Sequence, residues 1–472
     1  MFDTIRALIP RDPDYPPRVA TLDLLRRTLN GTLYDVLPYQ FHEERSASGE
    51  YIPLRDRRPS VRYALPRIVV EDSVALLFSE GHFPAIDSPD ADIRGFFADL
   101  VQETGLNEIM IDAAIRGSIG SVALLLRILK GRVFVSVLDS IFLTPVWQTE
   151  APDTLASVTE RYKVQGAVLA AQGYAIEDPG ADYWFMRRWD AEAETWFQPW
   201  PVSWPAELAP EIDAARTLSH DLGFVPLVWI RNLPGGTGLG GGEIDGAATF
   251  RAAIETGIEI DYQLSQAGRG LKYSSDPTLL IKEPATPDRE IIKGAGNALV
   301  VSKDGDARLL EIGGTAANAV IDYVRALREF ALESVHGNRA SADRIAAAQS
   351  GRALELMNQG LIWLADNLRI SYGESGLLPL ARMIARATER YTITVMGRAA
   401  PPISEGSRLS LRWRPWYPSS PADRLAEAQT LQTLCAAGLI SRETATRSLA
   451  DTYGIADVAA ELSSIAKDTQ TS

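Results

Sequence analysis

Cysteine and histidine are scarce: the 472-residue sequence has one cysteine, Cys435, and four histidines. A single cysteine cannot form a disulfide bond within the chain, and such scarcity is typical of proteins from a reducing cytosol. No histidine lies at metal-ligand spacing from another histidine or from Cys435, which argues against a zinc site built from these ligands. We therefore expect neither a metal nor any other cofactor.

Long apolar runs are also missing. A membrane-spanning helix needs about 18 or more consecutive apolar residues. The longest candidate, 119–129, is interrupted by Gly120, Ser121 and Arg127. The N-terminal apolar stretch is too short and too interrupted for a signal peptide. We therefore expect no membrane partner.

Positive charge is in deficit, because 61 acidic residues outnumber 47 lysines and arginines and give a net charge of −14. A protein that holds nucleic acid over its whole surface neutralises phosphates with an excess of basic residues, so this charge argues against such a protein. It remains compatible with an acidic passage that binds DNA weakly and lets it slide. Composition is otherwise globular, with about two to four domains expected from the length.

The usual catalytic motifs are absent: the sequence has no G-x-S-x-G and no H-E-x-x-H. The glycine-rich segment 235–246 precedes a predicted helix, as phosphate-binding loops do, but no Lys-Ser/Thr pair follows it. Asp261 lies at a suitable distance for a dinucleotide-binding acid, although inside a predicted helix rather than at a strand end. We favour a flexible linker and expect no enzyme, with a nucleotide-binding enzyme as the alternative.

Apolar periodicity predicts an α+β fold. Predicted helices cover 22–33, 66–78, 90–101 and 105–116. A β-rich part, 117–231, then opens with two apolar runs separated by Lys130-Gly131, which predicts a hairpin. Its further predicted strands cover 159–168, 183–189, 195–199 and 224–230.

Two long helices with an extended insert are predicted next. The first carries an apolar ridge at Phe250, Ile254, Ile258 and Tyr262. The insert has extended pieces at 278–281, 298–302 and 308–312, with a turn predicted at 304–305. The second helix covers 316–335. Residues 336–343 break it before a third helix, 343–368, with a heptad seam.

The remaining sequence predicts an interruption at 371–379, a helix at 380–391 and a strand at 391–396. Ser420 and Pro421 predict a helix start, Gly438 an end, and Ser441 the cap of the next helix. Residues 412–417 alternate arginine with aromatics. We favour packing of this run over stacking on nucleic acid.

The order of these elements resembles that of the portal proteins of tailed bacteriophages, in the long-tailed branch with an α/β wing. The matching segments are 66–70, 75–78, 229–232, 243–245, 259–265, 322–324, 336–341, 350–354, 413–418 and 431–445. The resemblance covers nearly the whole chain and is loosest over 1–60 and 145–225.

The resemblance implies a subunit with an α/β wing, a two-helix stem, a small α/β clip, a tunnel loop with a long kinked helix, and a helical crown. The implied boundaries are wing 1–243, first stem helix 244–270, clip 271–312, second stem helix 313–335, tunnel loop 336–343, long wing helix 344–396, and C-terminal part with crown 397–472.

The implied function is a conduit for DNA packaging and ejection at one capsid vertex, formed by a ring of about twelve copies. Implied partners are double-stranded DNA without base readout, the terminase large subunit, the major capsid and scaffold proteins, and a head–tail adaptor. The implied location is the virion, after assembly in the bacterial cytoplasm. A cellular ring-forming scaffold protein remains an alternative.

Two sets of residues are expected to carry this function. The loop predicted to face DNA comprises His336, Gly337, Asn338, Arg339, Ala340 and Ser341. Two antiparallel helices cannot bury both faces in one chain, so neighbouring copies are expected to cover them. The residues predicted for this stem interface are Phe250, Ile254, Ile258, Tyr262, Ile321, Val324 and Leu327.

Overall fold

The computed structural model describes residues 1–79, 81–204, 210–235, 244–275, 278–284, 301–310, 315–336, 355–356, 358–404, 406–416, 421–453, 455 and 458–471. The chain divides into two compact units. The first comprises Met1–Asn338 and Trp363–Arg414, and the second comprises Arg339–Ile362 and Pro415–Ser472.

The α-helices of the described residues are, in chain order, α1 (Phe2–Leu8), α2 (Pro17–Leu29), α3 (Leu65–Phe78), α4 (Ala91–Thr104), α5 (Leu106–Gly117), α6 (Gly166–Ala171), α7 (Ile254–Ser275), α8 (Thr315–Ser334), α9 (Gln359–Leu368), α10 (Leu378–Thr388), α11 (Pro421–Ala436), α12 (Arg442–Tyr453) and α13 (Val458–Thr471). Local signals explain several boundaries. Asp90 accepts a 2.8 Å hydrogen bond from the Asp92 N–H at the start of α4, and Gly105 ends that helix with φ of 62°. At α12, the Ser441 hydroxyl caps the Thr444 N–H at 3.1 Å, as predicted.

The strands are β1 (Tyr39–Gln40), β2 (Arg57–Arg58), β3 (Ala85–Asp87), β4 (Ser121–Leu129), β5 (Arg132–Asp139), β6 (Leu143–Trp147), β7 (Leu155–Gln165), β8 (Asp182–Trp189), β9 (Ala193–Trp196), β10 (Trp200–Pro201), β11 (Leu218–Ser219), β12 (Leu227–Arg231), β13 (Thr278–Pro284), β14 (Val301–Leu310), β15 (Thr394–Val395), β16 (Arg398–Ala399) and β17 (Ser410–Arg412). The mixed helix-and-sheet class predicted from the sequence is confirmed.

Two antiparallel sheets form the β-rich part. One has the order β12–β4–β5, and the other has the order β11–β9–β8–β7–β6 with β10 beside β8. The predicted hairpin is confirmed: Leu129 pairs with Arg132 across Lys130-Gly131, whose φ angles of 52° and 76° suit a two-residue hairpin turn. Central β4 is apolar throughout 122–126 because this whole stretch is buried.

The core between these sheets centres on Trp189, which is fully buried. Val158 and Leu143 of one sheet meet Ala123, Leu125 and Leu227 of the other in the same apolar cluster. Burying a large apolar side chain contributes about 1.5–3 kcal/mol. This cluster therefore holds the two sheets of the β-rich part together.

Three local predictions are wrong in whole or in part. Residues 304–305 lie inside β14 rather than in a turn, at an irregularity where the β13–β14 register shifts, so Gly305 marks a bulge. The strand predicted over 159–168 ends at Gln165 and is followed by α6. The strand predicted over 391–396 is reduced to β15, two residues long.

The predicted interruption at 371–379 is also wrong. Arg369–Leu377 is π-helical and joins α9 to α10 without a break. Its glycines serve close packing, because a Cβ on Gly376 would lie 2.7 Å from Ile230 Cδ1 and one on Gly373 would lie 2.4 Å from Trp413. Pro379 directly follows the π-helical stretch, whose altered hydrogen-bond spacing accommodates a residue that has no N–H. Glycine and proline are thus compatible with helix here.

The three C-terminal helices, α11 to α13, belong to the second unit. Among their described side chains, none is buried. Leu425 of α11 and Tyr453 of α12 are 61% and 57% exposed, and Leu439, between these two helices, is 71% exposed. These helices therefore bury little apolar surface within one chain.

Candidate functional site

The paired helices α7 and α8 bracket a β-hairpin formed by β13 and β14. The start of α7 and the end of α8 share one apolar cluster, in which Ala253 and Ile260 meet Ala331, Leu332 and Val335. The two helices are therefore antiparallel. Leu65 and Val69 of α3 join the same cluster and anchor the pair to this N-terminal helix.

A buried carboxylate fixes α7 to the N-terminal segment. Asp261 accepts a 2.8 Å hydrogen bond from the Tyr34 hydroxyl and a 2.7 Å hydrogen bond from the Tyr63 N–H. Burial raises the pKa of Asp261, and the two hydrogen bonds offset part of that rise. Burial and the adjacent carboxylate also raise the pKa of Tyr34. Both oxygens of Asp261 are thus engaged by the chain itself.

A second contact lies one residue farther along. The Tyr262 hydroxyl donates to the backbone oxygen of Arg57 at 2.8 Å. Arg57 is only 1% exposed and donates to the Ile52 oxygen through Nε and Nη2, at 3.0 and 2.7 Å. The N-terminal segment between α2 and α3 is consequently a structural part of the helix pair, a role that its loop-like sequence did not reveal.

The residues predicted for the stem interface fall into two groups. Phe250, Ile254, Ile258 and Tyr262 are each at most 3% exposed, so they fill the chain's own core and offer no surface to another copy. Val324 and Leu327 are partly buried against the same cluster, whereas Ile321 is 40% exposed. The structure therefore corrects the expected outer surface, because the α7 ridge faces inward.

Away from this cluster the helix pair is much less covered. Along α7, Leu271 and Lys272 are exposed. Along α8, Tyr323 and Phe330 are 47% and 65% exposed. Because these large apolar side chains are exposed, one chain alone does not fully bury the helix pair.

Of the six residues predicted to face DNA, the structure describes His336 alone. α8 ends at Ser334, and His336 follows with a left-handed φ of 54° and a 3.1 Å hydrogen bond from its N–H to the Glu333 oxygen. Its ring lies 6.2 Å from that of Trp363, edge to face. The predicted break after the second helix is confirmed. Gly337, Asn338, Arg339, Ala340 and Ser341 lie outside the described residues.

The glycine-rich segment flanks a cavity of about 780 Å³ in the first unit. Trp147, Trp229, Arg231, Glu374 and Arg386 are among the residues that line it. Residues 236–243 lie outside the described part of the chain. No local pattern in the sequence indicates this cavity, because its lining residues come from distant segments.

At one end of that cavity, Asp245 forms a buried ion pair with Arg18. Nε of Arg18 donates to Oδ2 at 2.6 Å, and Nη2 donates to Oδ1 at 2.7 Å. The Arg18 guanidinium also lies 5.7 Å from the Trp229 ring. Asp245 and Asp261 are thus both buried carboxylates that already bind groups of the chain itself.

The arginine and tryptophan run predicted to pack does so at Trp413. Its ring lies 6.1 Å from Phe78, and the Arg369 guanidinium lies over it at 4.7 Å. Burial lowers the pKa of Arg369 to about 10, an effect that nearby Asp366 partly offsets. Five arginines lie near the break after α8. Arg325 and Arg328 lie on α8 and are exposed, and the arginines at 339, 344 and 352 lie outside the described residues.

Two comparisons with known proteins find no match. A scan against protein-family models finds no matching family, and a search of curated proteins also finds no match. No described helix combines the length and apolar character that a bilayer crossing requires. Within the described ranges, no cluster of three or more histidine, cysteine or acidic side chains is placed to hold a metal ion.

Proposed function

We propose that this chain is a portal subunit: many copies form a ring at one capsid vertex, and DNA enters and leaves through its centre. The observation that carries the proposal is the succession of α7, the β13–β14 hairpin and α8. Two antiparallel helices are anchored at one end in the core and carry a hairpin at the other. A helix pair that leaves large apolar side chains such as Tyr323 and Phe330 exposed is suited to lateral association with copies of itself.

The net charge supports a conduit that binds DNA only weakly. A net charge of −14 provides too little positive surface for tight binding to the DNA backbone. Contacts in such a passage would be made loosely to phosphates and would carry no base readout. The segment that begins at His336 is our candidate for these contacts because it follows the inner, anchored end of α8.

The proposal assigns partners to the two ends of the subunit. The hairpin between α7 and α8 would meet the terminase large subunit during packaging and a head–tail adaptor afterwards. The C-terminal helices α11 to α13 would form the crown on the capsid side, near the major capsid and scaffold proteins. Their low burial within one chain supports a place where other chains cover them.

Particle mass and shape test the proposal. We expect the purified chain to form rings of about a dozen copies with a central hole, measured by mass photometry and negative-stain microscopy. A chain that stays monomeric over a wide concentration range, with and without scaffold protein, would contradict a portal. Genes for a terminase large subunit upstream and a scaffold downstream would separate a portal from a cellular ring-forming scaffold.

The rival proposal, a nucleotide-binding enzyme, predicts a different measurement. Titration of the chain with labelled ATP and NAD should then give saturable binding that depends on the segment 235–246. The engagement of Asp245 by Arg18 and of Asp261 by Tyr34 argues against this rival. We expect no saturable binding.

A further inference from the structure

Helix α8 carries four parallel rows of side chains. In an α-helix, positions separated by alternating steps of four and three residues lie on one face. The inner row, Val320, Val324, Leu327 and Ala331, is half-buried or buried, and its last three members pack on the cluster shared with α7. The other three rows are largely exposed. Their chemistry differs from row to row.

One flank of α8 is aromatic. Ala319, Tyr323, Ala326 and Phe330 step by four, three and four residues, and both aromatic rings are large and exposed. The two small alanines of this row leave room for a partner to approach the rings. We call this row the aromatic flank.

The opposite flank is basic. Ile321, Arg325 and Arg328 follow the same steps, and all three are exposed. At 3.6 residues per turn, this basic flank lies roughly 160° around the helix from the aromatic flank. Within the chain, Arg325 contacts Asp322 at 3.3 Å, but both side chains are more than 70% exposed, so this pair contributes little.

An acidic row separates the two flanks. Asp322, Glu329 and Glu333 are exposed and point away from the inner row. They border the aromatic flank along its length. A surface that covers the aromatic flank must therefore accept both aromatic rings and carboxylates.

We propose that the aromatic flank of α8 in one copy docks on the basic flank of α8 in the next copy, an interface that rests on the proposed ring. Arginine suits both parts of the aromatic flank, because a guanidinium stacks on aromatic faces and pairs with carboxylates. Ile321 supplies apolar surface one turn before Arg325. The flanks lie on opposite sides of one helix, so each copy contacts two neighbours through different surfaces, as ring closure requires.

Charge also argues against the simplest alternative. Two copies that met through their aromatic flanks in antiparallel fashion would place the acidic row of one copy beside the acidic row of the other. Like charges across such a contact are destabilising. The charge pattern thus favours a head-to-tail ring over a symmetric pair.

Reciprocal charge reversal tests the interface. The variant Arg325→Glu/Arg328→Glu has two acidic flanks, and the variant Glu329→Arg/Glu333→Arg has two basic flanks. All four substitutions exchange good helix formers at exposed positions, so the fold should be retained. Circular dichroism and the thermal midpoint check that it is.

Assembly is measured by mass photometry on each variant, on their equimolar mixture and on the fourfold variant. We expect each double variant alone to lose rings by at least tenfold in assembled fraction. The mixture and the fourfold variant should form rings again, because acidic and basic flanks meet once more. Rings that persist in both double variants, or a mixture that does not assemble, would overturn the interface.

The aromatic rings have their own test. Phe330→Ala should weaken assembly at least tenfold, as expected for a central aromatic anchor, without lowering the thermal midpoint of the monomer. Val168→Ala removes an apolar side chain that is 46% exposed on α6 and is the matched control, with assembly unchanged. Equal effects of the two substitutions would overturn the role of Phe330. Failure of the wild-type chain to form rings would instead contradict the proposed function itself.

Discussion

Arg18 and Asp245, 227 positions apart in the sequence, form a bidentate ion pair at 2.6 and 2.7 Å. Arg18 Nη1 also donates to the backbone oxygens of Ser140 and Leu143, at 2.9 and 3.1 Å. The Arg18 side chain is 9% exposed and that of Asp245 is 11% exposed. One guanidinium thus ties α2, the segment between β5 and β6, and the end of the glycine-rich segment together.

Removing one member of this pair leaves the other charge buried without its counter-ion. We therefore expect Asp245→Ala to lower the free energy of unfolding by about 3–5 kcal/mol. Chemical denaturation followed by tryptophan fluorescence measures this change. The control is Asp112→Ala, which removes an exposed pair with Arg116 and should cost less than about 1 kcal/mol. Similar losses of unfolding free energy in the two variants would contradict a stabilising role of the buried Arg18–Asp245 pair.

The Asp261 carboxyl predicts a pH dependence of stability. Its pKa is raised in the folded chain, chiefly by burial, above the ordinary value of 3.8. The folded state therefore retains a proton that the unfolded state releases, so the contribution of this group is full below pH 3.8 and is lost as pH rises through the folded pKa. Stability of the wild type relative to Asp261→Asn should fall as pH rises above about 4 and then level off.

Parallel denaturation series of the wild type and Asp261→Asn between pH 4 and pH 8 test this dependence. The amide retains one acceptor for Tyr34 or Tyr63 but does not titrate. Asp153→Asn changes an exposed aspartate and controls for general charge effects. The difference in unfolding free energy between this variant and the wild type should not change with pH. A wild-type stability that instead rises with pH relative to Asp261→Asn would contradict the predicted direction.

A substitution at Gly246 tests whether the end of the glycine-rich segment is a flexible linker or a constrained turn. A Cβ at this position would lie 2.5 Å from the Leu233 oxygen and 2.8 Å from the Asn232 nitrogen, both backbone atoms. We expect Gly246→Ala to cost at least about 1–3 kcal/mol, because the backbone must move. Gly268→Ala is the matched control. It lies in α7 with nothing within 4 Å of the added carbon, and it should stabilise by about 0.5–1 kcal/mol. Thermal unfolding of both variants measures these shifts.

Local patterns predicted much of the secondary structure. The β4–β5 hairpin followed from two apolar runs and Lys130-Gly131, because a two-residue turn fixes the register of its own strands. The end of α8 followed from the break at His336. Such signals lie within a few residues of the feature they determine, so one sequence is sufficient to read them.

Long-range packing explains what the sequence did not predict. The apolar ridge at Phe250 and Ile254 suggested an outer surface, but α3 and the N-terminal segment cover it. Gly376 suggested a helix break, whereas its lack of a side chain lets a π-helical turn approach Ile230. The Arg18–Asp245 pair gave no signal because its two residues meet only in three dimensions.

The segment after His336 carries the prediction closest to the proposed function. Deletion of residues 337–341 should impair DNA packaging or retention while rings still form, because the anchored end of α8 and its apolar cluster remain intact. Packaging in a defined terminase and prohead system, measured as nuclease-protected DNA, tests this. Replacement of the same five residues by a Gly-Ser stretch of equal length separates lost side chains from lost chain length. Normal packaging by rings with the deletion would refute a role for this segment, since a contact that guides passing DNA cannot be removed without effect.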